Sequence, residues 1–262
     1  MIPKEKQLRK LSTRLIRKGA LIEDTYSAFQ HWDLDRSTKE NLQAIRDTNS
    51  IGASNAAWLK EIIVTLSSRF TQEVNFEPLV ILAEKGLYLE AWKPCLLWHI
   101  GSIDTLYYEF ATEWLFEEYK AGTYLMRTED VVPFVRKITD GRIASGKNLT
   151  EYGATRAGRD MLRMASDFGL LSGSTVREFV PYHLPEESFL YVLHAIAEHE
   201  SNANRIVQAL DWRLFLMYSE DVERELLRLH QFRKLDYQVA GSLAQLKLPF
   251  DSLKAFAQAW TP

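Results

Sequence analysis

Two consecutive pieces of sequence decide the fold class: Thr155-Arg-Ala-Gly-Arg-Asp-Met-Leu-Arg-Met-Ala-Ser-Asp-Phe168, and then Gly-Leu-Leu-Ser-Gly-Ser-Thr-Val-Arg-Glu-Phe179. In the first piece the apolar residues recur at helical spacing and predict one buried face: Gly158, Met161, Leu162, Ala165 and Phe168. The second piece predicts a small hairpin around Ser172-Gly173-Ser174. A helix followed at once by a small hairpin is typical of a winged helix.

The opposite face of this predicted helix carries Arg156, Arg159 and Arg163. A guanidinium group meets both phosphates and guanine edges, so three of them on one exposed face suit a duplex groove. Arg177, in the hairpin, is then expected to project beside the backbone of that duplex. A solvated arginine-rich helix packed on a hairpin explains the same spacing, and both interpretations stay open at this point.

The composition is that of a folded protein. The chain has 262 residues, 46% hydrophobic and 12% aromatic. Its single cysteine excludes an internal disulfide and a multi-thiolate zinc site, which predicts a cytoplasmic protein. The first residues lack the apolar core of a signal peptide, and the most apolar window, residues 79–100, contains Glu84, Lys85, Glu90 and Lys93. We therefore expect no membrane span.

Charge is segregated along the sequence. Residues 1–70 have an excess of four basic groups and residues 131–180 an excess of three. Residues 71–130 have an acidic excess of seven, and residues 181–262 one of three. Basic zones attract polyanions and acidic zones oppose indiscriminate binding, so this distribution indicates a polyanionic partner.

The predicted fold is mostly α: a helical, bundle-like scaffold with two helix-turn-helix units, the second winged by a short β-hairpin. Four segments are predicted. Residues 1–70 form an N-terminal helical helix-turn-helix unit, residues 71–130 an acidic helical scaffold, residues 131–185 the winged helix-turn-helix unit, and residues 186–262 a C-terminal helical region with a short β segment. A first helix over residues 8–30 is expected to expose most of its basic side chains: Arg9, Lys10, Arg14, Arg17 and Lys18.

The first helix-turn-helix unit is predicted from turn and capping signals. Ser37-Thr-Lys-Glu40 is a capping box that starts a helix, which the stretch ending at Gly52 terminates. A second helix is expected to start near Ser54. Its exposed residues, Ser54, Asn55 and Lys60, are candidate DNA contacts. An ordinary helical hairpin of an all-α domain gives the same pattern.

The remaining segments have simpler patterns. The scaffold is expected to break at Pro94, and its carboxylates form either a solvated surface or a docking site for a basic protein: Glu109, Glu113, Glu117 and Glu118. A helix that opens at Thr128 leads to a basic approach to the winged helix, comprising Arg136, Lys137, Arg142 and Lys147. The C-terminal region is predicted to contain helices over residues 186–199, 202–217 and 219–232, a strand or hairpin over 237–248, and a helix over 251–260.

The sequence contains no motif of a known catalytic class. His194 and His199 are spaced five residues apart, whereas a metal pair on a helix favours four. Cys95 lies among Pro94, Leu96 and Leu97 and is expected to be a small core residue. We therefore predict no catalytic residue, metal site, cofactor or small-molecule substrate, and no enzymatic activity.

Several stretches resemble the BrxA family of bacteriophage exclusion (BREX) systems. They are Lys18-Gly-Ala-Leu-Ile-Glu-Asp24, the stretch from Tyr152 to Leu171, Tyr182-His-Leu-Pro185, Asp211-Trp-Arg-Leu-Phe-Leu216 and Leu243-Ala-Gln-Leu246. The resemblance implies a non-enzymatic, all-helical component of a bacterial defence operon that binds DNA through helix-turn-helix elements. Members of this family have also been compared with the antitermination protein NusB. They have been labelled inner-membrane proteins as well, but the charged residues in the most apolar window, residues 79–100, argue against a membrane span.

The sequence thus predicts a double-stranded DNA-binding protein, with other BREX proteins as further partners. Arg156, Arg159 and Arg163 are expected to enter a groove, while the N-terminal cations, Arg142, Lys147 and Arg177 hold phosphates. Neutralising about six phosphates gives a slope near −5 of log affinity against log salt. The alternatives are an RNA-binding, NusB-like factor, a protein-protein adaptor that uses the acidic helices, and a hydrolase without a recognisable site.

Overall fold

The fold is mostly helical, as predicted. The computed structural model describes residues 10–71, 74–144, 146, 148–241 and 243–261. Its α-helices are α1 (Ile22–Gln30), α2 (Thr38–Thr48), α3 (Ala56–Arg69), α4 (Glu77–Glu84), α5 (Leu89–Ile103), α6 (Thr105–Glu109), α7 (Phe116–Ala121), α8 (Thr128–Thr139), α9 (Glu151–Asp167), α10 (Glu186–Ala197), α11 (Ala203–Val207), α12 (Ser219–Gln231) and α13 (Leu253–Ala259). A π-helix, Phe110–Leu115, joins α6 to α7, and a 3-10 helix, Leu210–Phe215, precedes α12.

Two short antiparallel hairpins complete the fold. One pairs β1 (Leu171–Ser172) with β2 (Glu178–Phe179), directly after α9. The other pairs β3 (Asp236–Ala240) with β4 (Leu243–Lys247), directly after α12. Both hairpins lie where the sequence predicts them. Met126 also bridges Arg177 in antiparallel fashion, so the chain just before α8 extends the first hairpin by a third strand.

Capping explains where the N-terminal helices begin. The Ser37 hydroxyl accepts from the amide of Glu40, and the Glu40 carboxylate accepts from the amide of Ser37, so the predicted capping box is confirmed. Helix α3 begins two residues later than expected. Its cap is Asn55 rather than Ser54, with Oδ1 of Asn55 2.9 Å from the amide nitrogen of Trp58.

The predicted helix over residues 8–30 is wrong over the part that the structure describes before Ile22. Gly19 and Leu21 have φ values of 73° and 53°, in the left-handed region that ends a right-handed helix. Leu11 instead pairs with the chain after α8: its amide donates to the carbonyl of Arg142 at 2.7 Å, and its carbonyl accepts from Ala144 at 3.0 Å. Residues 10–18 therefore follow an extended and turning path.

Two other boundaries differ from expectation. Helix α5 continues through Pro94, although proline removes one backbone hydrogen bond. Trp92, Cys95 and Leu96 beside it are fully buried, and this packing offsets the loss. The predicted helix over residues 202–217 is divided into α11 and the 3-10 helix.

One cluster of buried apolar side chains extends through all four predicted segments. It includes Phe29, Leu96, Met161, Phe189 and Phe256. The residues predicted to form the buried stripe of α9 are all buried, which fixes the opposite face of that helix as its outer surface. The division of the chain into four units stays a prediction.

Candidate nucleic-acid interface

Helix α9 presents the arginine stripe, which we define as Arg156, Arg159 and Arg163. Thr150 caps the helix, because its hydroxyl accepts from the amide of Gly153 at 3.1 Å. The buried face of α9 packs along α8, and all three arginines are exposed. The predicted orientation of these three side chains is therefore confirmed.

A half-hidden carboxylate lies under the arginine stripe. Asp160 is only 9% exposed, and its Oδ2 lies 3.7 Å from Nε of Arg156. Burial raises the pKa of this carboxyl group, and the charges of Arg159, Arg156, Arg163 and Arg17 act in the opposite direction. Four guanidinium groups therefore act electrostatically on one acid, and one of them comes from the N-terminal part of the chain.

The basic segment, defined as residues 10–18, is held in place by two buried contacts behind it. Arg69, 1% exposed, donates to the carbonyls of Leu15, Gly19 and Ala20 at 2.7, 2.5 and 2.6 Å. Burial lowers the pKa of this guanidinium to about 10. These three charge-assisted bonds fix the end of the basic segment against α3.

The second contact joins the basic segment to α9. Oδ2 of Asp167 accepts from the amide of Ala20 at 2.9 Å. At Gly19 a Cβ atom would lie 2.7 Å from the Asp167 carboxylate and 3.3 Å from Nε of Arg163. Glycine is required there, since its φ is 73° and the backbone runs directly against α9. This close approach explains why Arg17 and the arginine stripe share one patch.

Not every predicted phosphate contact belongs to this patch. Arg177 is 6% exposed, its backbone pairs with Met126, and its Nε lies 3.3 Å from Oγ of Ser166. Its predicted projection toward a duplex is wrong, because the third strand at Met126 and helix α9 enclose it. Arg142 forms a two-pronged ion pair with Glu109 at 2.7 and 2.8 Å, so its charge is already neutralised.

The other N-terminal cations differ in their surroundings. Lys10, Arg14 and Arg17 are exposed. Lys18 is paired with Glu61 of α3 at 2.9 Å, which reduces its availability. Arg9 and Lys147 lie outside the described residues.

The first candidate helix-turn-helix unit stands apart from the arginine stripe. Helices α2 and α3 pack together, and Ser54, Asn55 and Lys60 are exposed as predicted. The side chain of Asn55 is engaged in capping α3, so only part of its hydrogen-bonding capacity remains. Within the described ranges, no hydrogen bond or ion pair joins these three residues to the arginine stripe.

The predicted acidic face is partly neutralised within the protein. Glu109 is 8% exposed and pairs with Arg142, so its assignment to a solvated surface is wrong. Glu117 pairs with Arg213 at 3.3 Å and with Lys120 at 3.6 Å. Arg213 also donates to the carbonyl of Thr112 in the π-helix. These pairs leave less negative charge for a basic partner than the sequence suggests.

Sequence reasoning missed the residues that assemble the patch. Asp160 had a signal, since it follows Arg156 by four residues and such pairs meet on a helix. Arg69 and Asp167 had none, because their partners lie 49 or more and 147 residues away in the chain. Cys95 is buried, as expected. His194 is also buried and stacks on Phe256 at 4.9 Å, so it is a core residue.

These features define a mostly helical protein in which helix α9 and the basic segment carry a cationic ridge. Residues 9–195 match the family model of BrxA, and the chain therefore belongs to the BrxA family. Membership makes it a component of a BREX phage-defence system. Searches of curated proteins and of solved structures gave no match. Within the described ranges, no helix is long and apolar enough to cross a membrane, and no group of acidic, histidine or cysteine side chains is arranged to hold a metal ion.

Proposed function

We propose that this BREX component is a non-enzymatic, double-stranded DNA-binding protein whose arginine stripe enters a groove while the basic segment contacts phosphates. One observation carries the proposal: the end of the basic segment runs directly against α9 at Arg163 and Asp167, so exposed guanidinium groups from two distant parts of the chain lie on one surface. The hydrogen bonds of Arg69 and Asp167 lie behind that ridge, and they hold the basic segment in place before any ligand binds. A ligand therefore meets an ordered cationic surface, which lowers the entropic cost of binding.

The order of elements supports α9 as the helix that enters the groove. Between Phe116 and Phe179 the chain runs through a helix, a strand residue, two packed helices and a hairpin, which is the order of a winged helix-turn-helix. Helix α9 has 17 residues and is therefore about 25 Å long. A helix of this kind fits the major groove of B-form DNA, whereas the major groove of A-form RNA is too narrow to admit it. Duplex DNA is therefore the preferred ligand over RNA.

The expected salt dependence follows from the cations that remain available. Lys10, Arg14, Arg17, Arg159 and Arg163 are exposed and have no ion-pair partner among the described residues, and Arg156 is only loosely paired. Cations in the groove and cations at the backbone both displace counterions from the duplex, so six of them give a slope of about −5 of log affinity against log salt. This agrees with the sequence-based expectation, although the contributing residues have changed.

The test compares two triple variants of equal net charge. R156A/R159A/R163A removes the arginine stripe, and R205A/R224A/R233A removes three exposed arginines of the C-terminal region. Binding of a 30-base-pair duplex is measured by fluorescence anisotropy at several salt concentrations. The slope of log affinity against log salt is expected to be about 3 units shallower for the first triple variant and unchanged for the second. If both triple variants lowered the salt slope equally, binding would depend on net charge alone, and the proposed role of the arginine stripe would be overturned.

The same preparation separates the alternative ligands. Duplex DNA, single-stranded DNA and structured RNA compete for the protein at one salt concentration, and duplex DNA is expected to compete best. Incubation of labelled duplex with divalent metal ions is expected to leave it intact. Preferential competition by RNA favours the NusB-like alternative, and co-purification with other BREX proteins without DNA binding at low salt favours the adaptor.

A further inference from the structure

An aromatic side chain lies on the arginine stripe at the end of α9 where the helix begins. Tyr152 precedes Arg156 by four residues and Arg159 by seven. At about 100° per residue, the side chains of Arg156 and Arg159 both leave the helix within about 40° of the direction of Tyr152. Tyr152 thus belongs to the surface that is proposed to face DNA, although it carries no charge.

The ring of Tyr152 has no role within the fold. It is 72% exposed, and it makes no hydrogen bond or ring contact with any other described residue. Two other tyrosines near the surface have such partners: Tyr119 packs edge-on against Phe179, and Tyr88 donates to Glu187. The apolar area of Tyr152 therefore remains available to a ligand.

We infer that Tyr152 contacts the 5-methyl group of a thymine in the major groove, beside guanines contacted by Arg156 and Arg159. This inference rests on the proposed duplex binding and adds a base preference to it. In a duplex the bases stay stacked, so a side chain meets their edges, and the thymine methyl is the apolar group among those edges. Four helical residues span about 6 Å, close to two base-pair steps, which places the thymine about two base pairs from a guanine.

The hydroxyl of the neighbouring Thr155 is not free to contact a base edge. Thr155 is exposed on the adjacent side of α9, but its hydroxyl donates to the carbonyl of Glu151 at 3.0 Å. The ring of Tyr152, rather than its hydroxyl, supplies the apolar contact with a methyl group. Tyr152→Phe is therefore expected to keep the base preference, and Tyr152→Ala to lose it.

The experiment couples a change in the protein to a change in the DNA. The wild-type protein first selects a preferred duplex from a randomised library, and the thymines of that duplex are then replaced by deoxyuridine, which lacks only the methyl group. Loss of one buried methyl contact is expected to weaken wild-type binding about fourfold. Y152F is expected to lose the same factor, and Y152A to bind both duplexes equally. Tyr124→Ala is the matched control, because Tyr124 is 74% exposed but lies outside α9.

The outcomes distinguish this inference from the proposed function. Equal effects of deoxyuridine on wild type and Y152A, or selection of a site without thymine near guanine, overturn the role of Tyr152 and leave duplex binding intact. Failure of the wild-type protein to bind any duplex overturns the proposed function, and this inference with it. Circular dichroism of Y152A confirms that the fold is unchanged, as expected for so exposed a side chain.

Discussion

Replacing Asp160 by asparagine is expected to tighten the binding of duplex DNA. The carboxylate is only 9% exposed and lies 3.7 Å from Arg156, within a set of four guanidinium groups. Each of those groups is attracted by the carboxylate, so the acid competes with phosphates for the same positive charge. Asparagine has nearly the same shape and removes only the charge.

The size of the effect follows from counterion release. Removal of one negative charge from the patch frees the equivalent of one cation, which steepens the salt slope by about 0.9. Affinity is then expected to rise about eightfold at roughly 0.1 M salt and about threefold at roughly 0.3 M salt. The gain must shrink as salt is added, because it comes from ion release rather than from a new hydrogen bond.

Fluorescence anisotropy titrations of wild type and D160N across that salt range measure the slope. Asp251→Asn is the control, since Asp251 is exposed and outside the patch and its replacement changes the net charge equally. Urea denaturation of both variants checks that the fold is retained. Weaker binding by a stably folded D160N would refute the reasoning, because the acid would then be holding the guanidinium groups in position rather than opposing DNA.

Three further predictions concern the fold around the patch. Arg69→Met removes three hydrogen bonds to buried carbonyls and is expected to cost about 3 kcal/mol in urea denaturation, with faster tryptic cleavage of the basic segment. Burial lowers the pKa of His99 from 6.5 to about 4. As the pH drops from 6.5 toward 4, the unfolded chain therefore binds a proton that the folded protein does not. The free energy of unfolding falls by about 1.4 kcal/mol per pH unit over that range. His99→Phe keeps the stacking on Phe70 and is expected to remove this one-proton dependence of the free energy of unfolding on pH. Gly173→Ala places a Cβ atom 2.1 Å from the carbonyl oxygen of Val176 and is expected to lower the melting temperature more than Gly241→Ala, where no atom lies within 4 Å.

The parts of the fold that depend on neighbouring residues could be predicted from the sequence. The capping box at Ser37 and the two faces of α9 follow from spacings of three and four residues. The path of the basic segment could not be predicted. Its apolar spacing suits a helix, but Arg69 takes the carbonyls of Gly19 and Ala20 from about 50 residues away, and helix propensity is too weak to compete with such contacts.

The errors in the candidate site have a similar origin. A strand of two residues has no alternation from which its buried side can be recognised, so nothing in the sequence distinguishes an exposed Arg177 from a buried one. Likewise, the pairing of Arg142 with Glu109 depends on how the end of α6 and the turn after α8 meet, across 33 residues of sequence. The charge of a residue is visible in the sequence, whereas its neutralisation by a distant partner is not.

The two contacts that hold the basic segment become available at different times during synthesis. The segment precedes both of its partners in the chain, and Arg69 can bind it once α3 has emerged from the ribosome. The Asp167 carboxylate follows about a hundred residues later, at the end of α9. The ridge consequently acquires its final shape only after the last turn of α9 has left the exit tunnel.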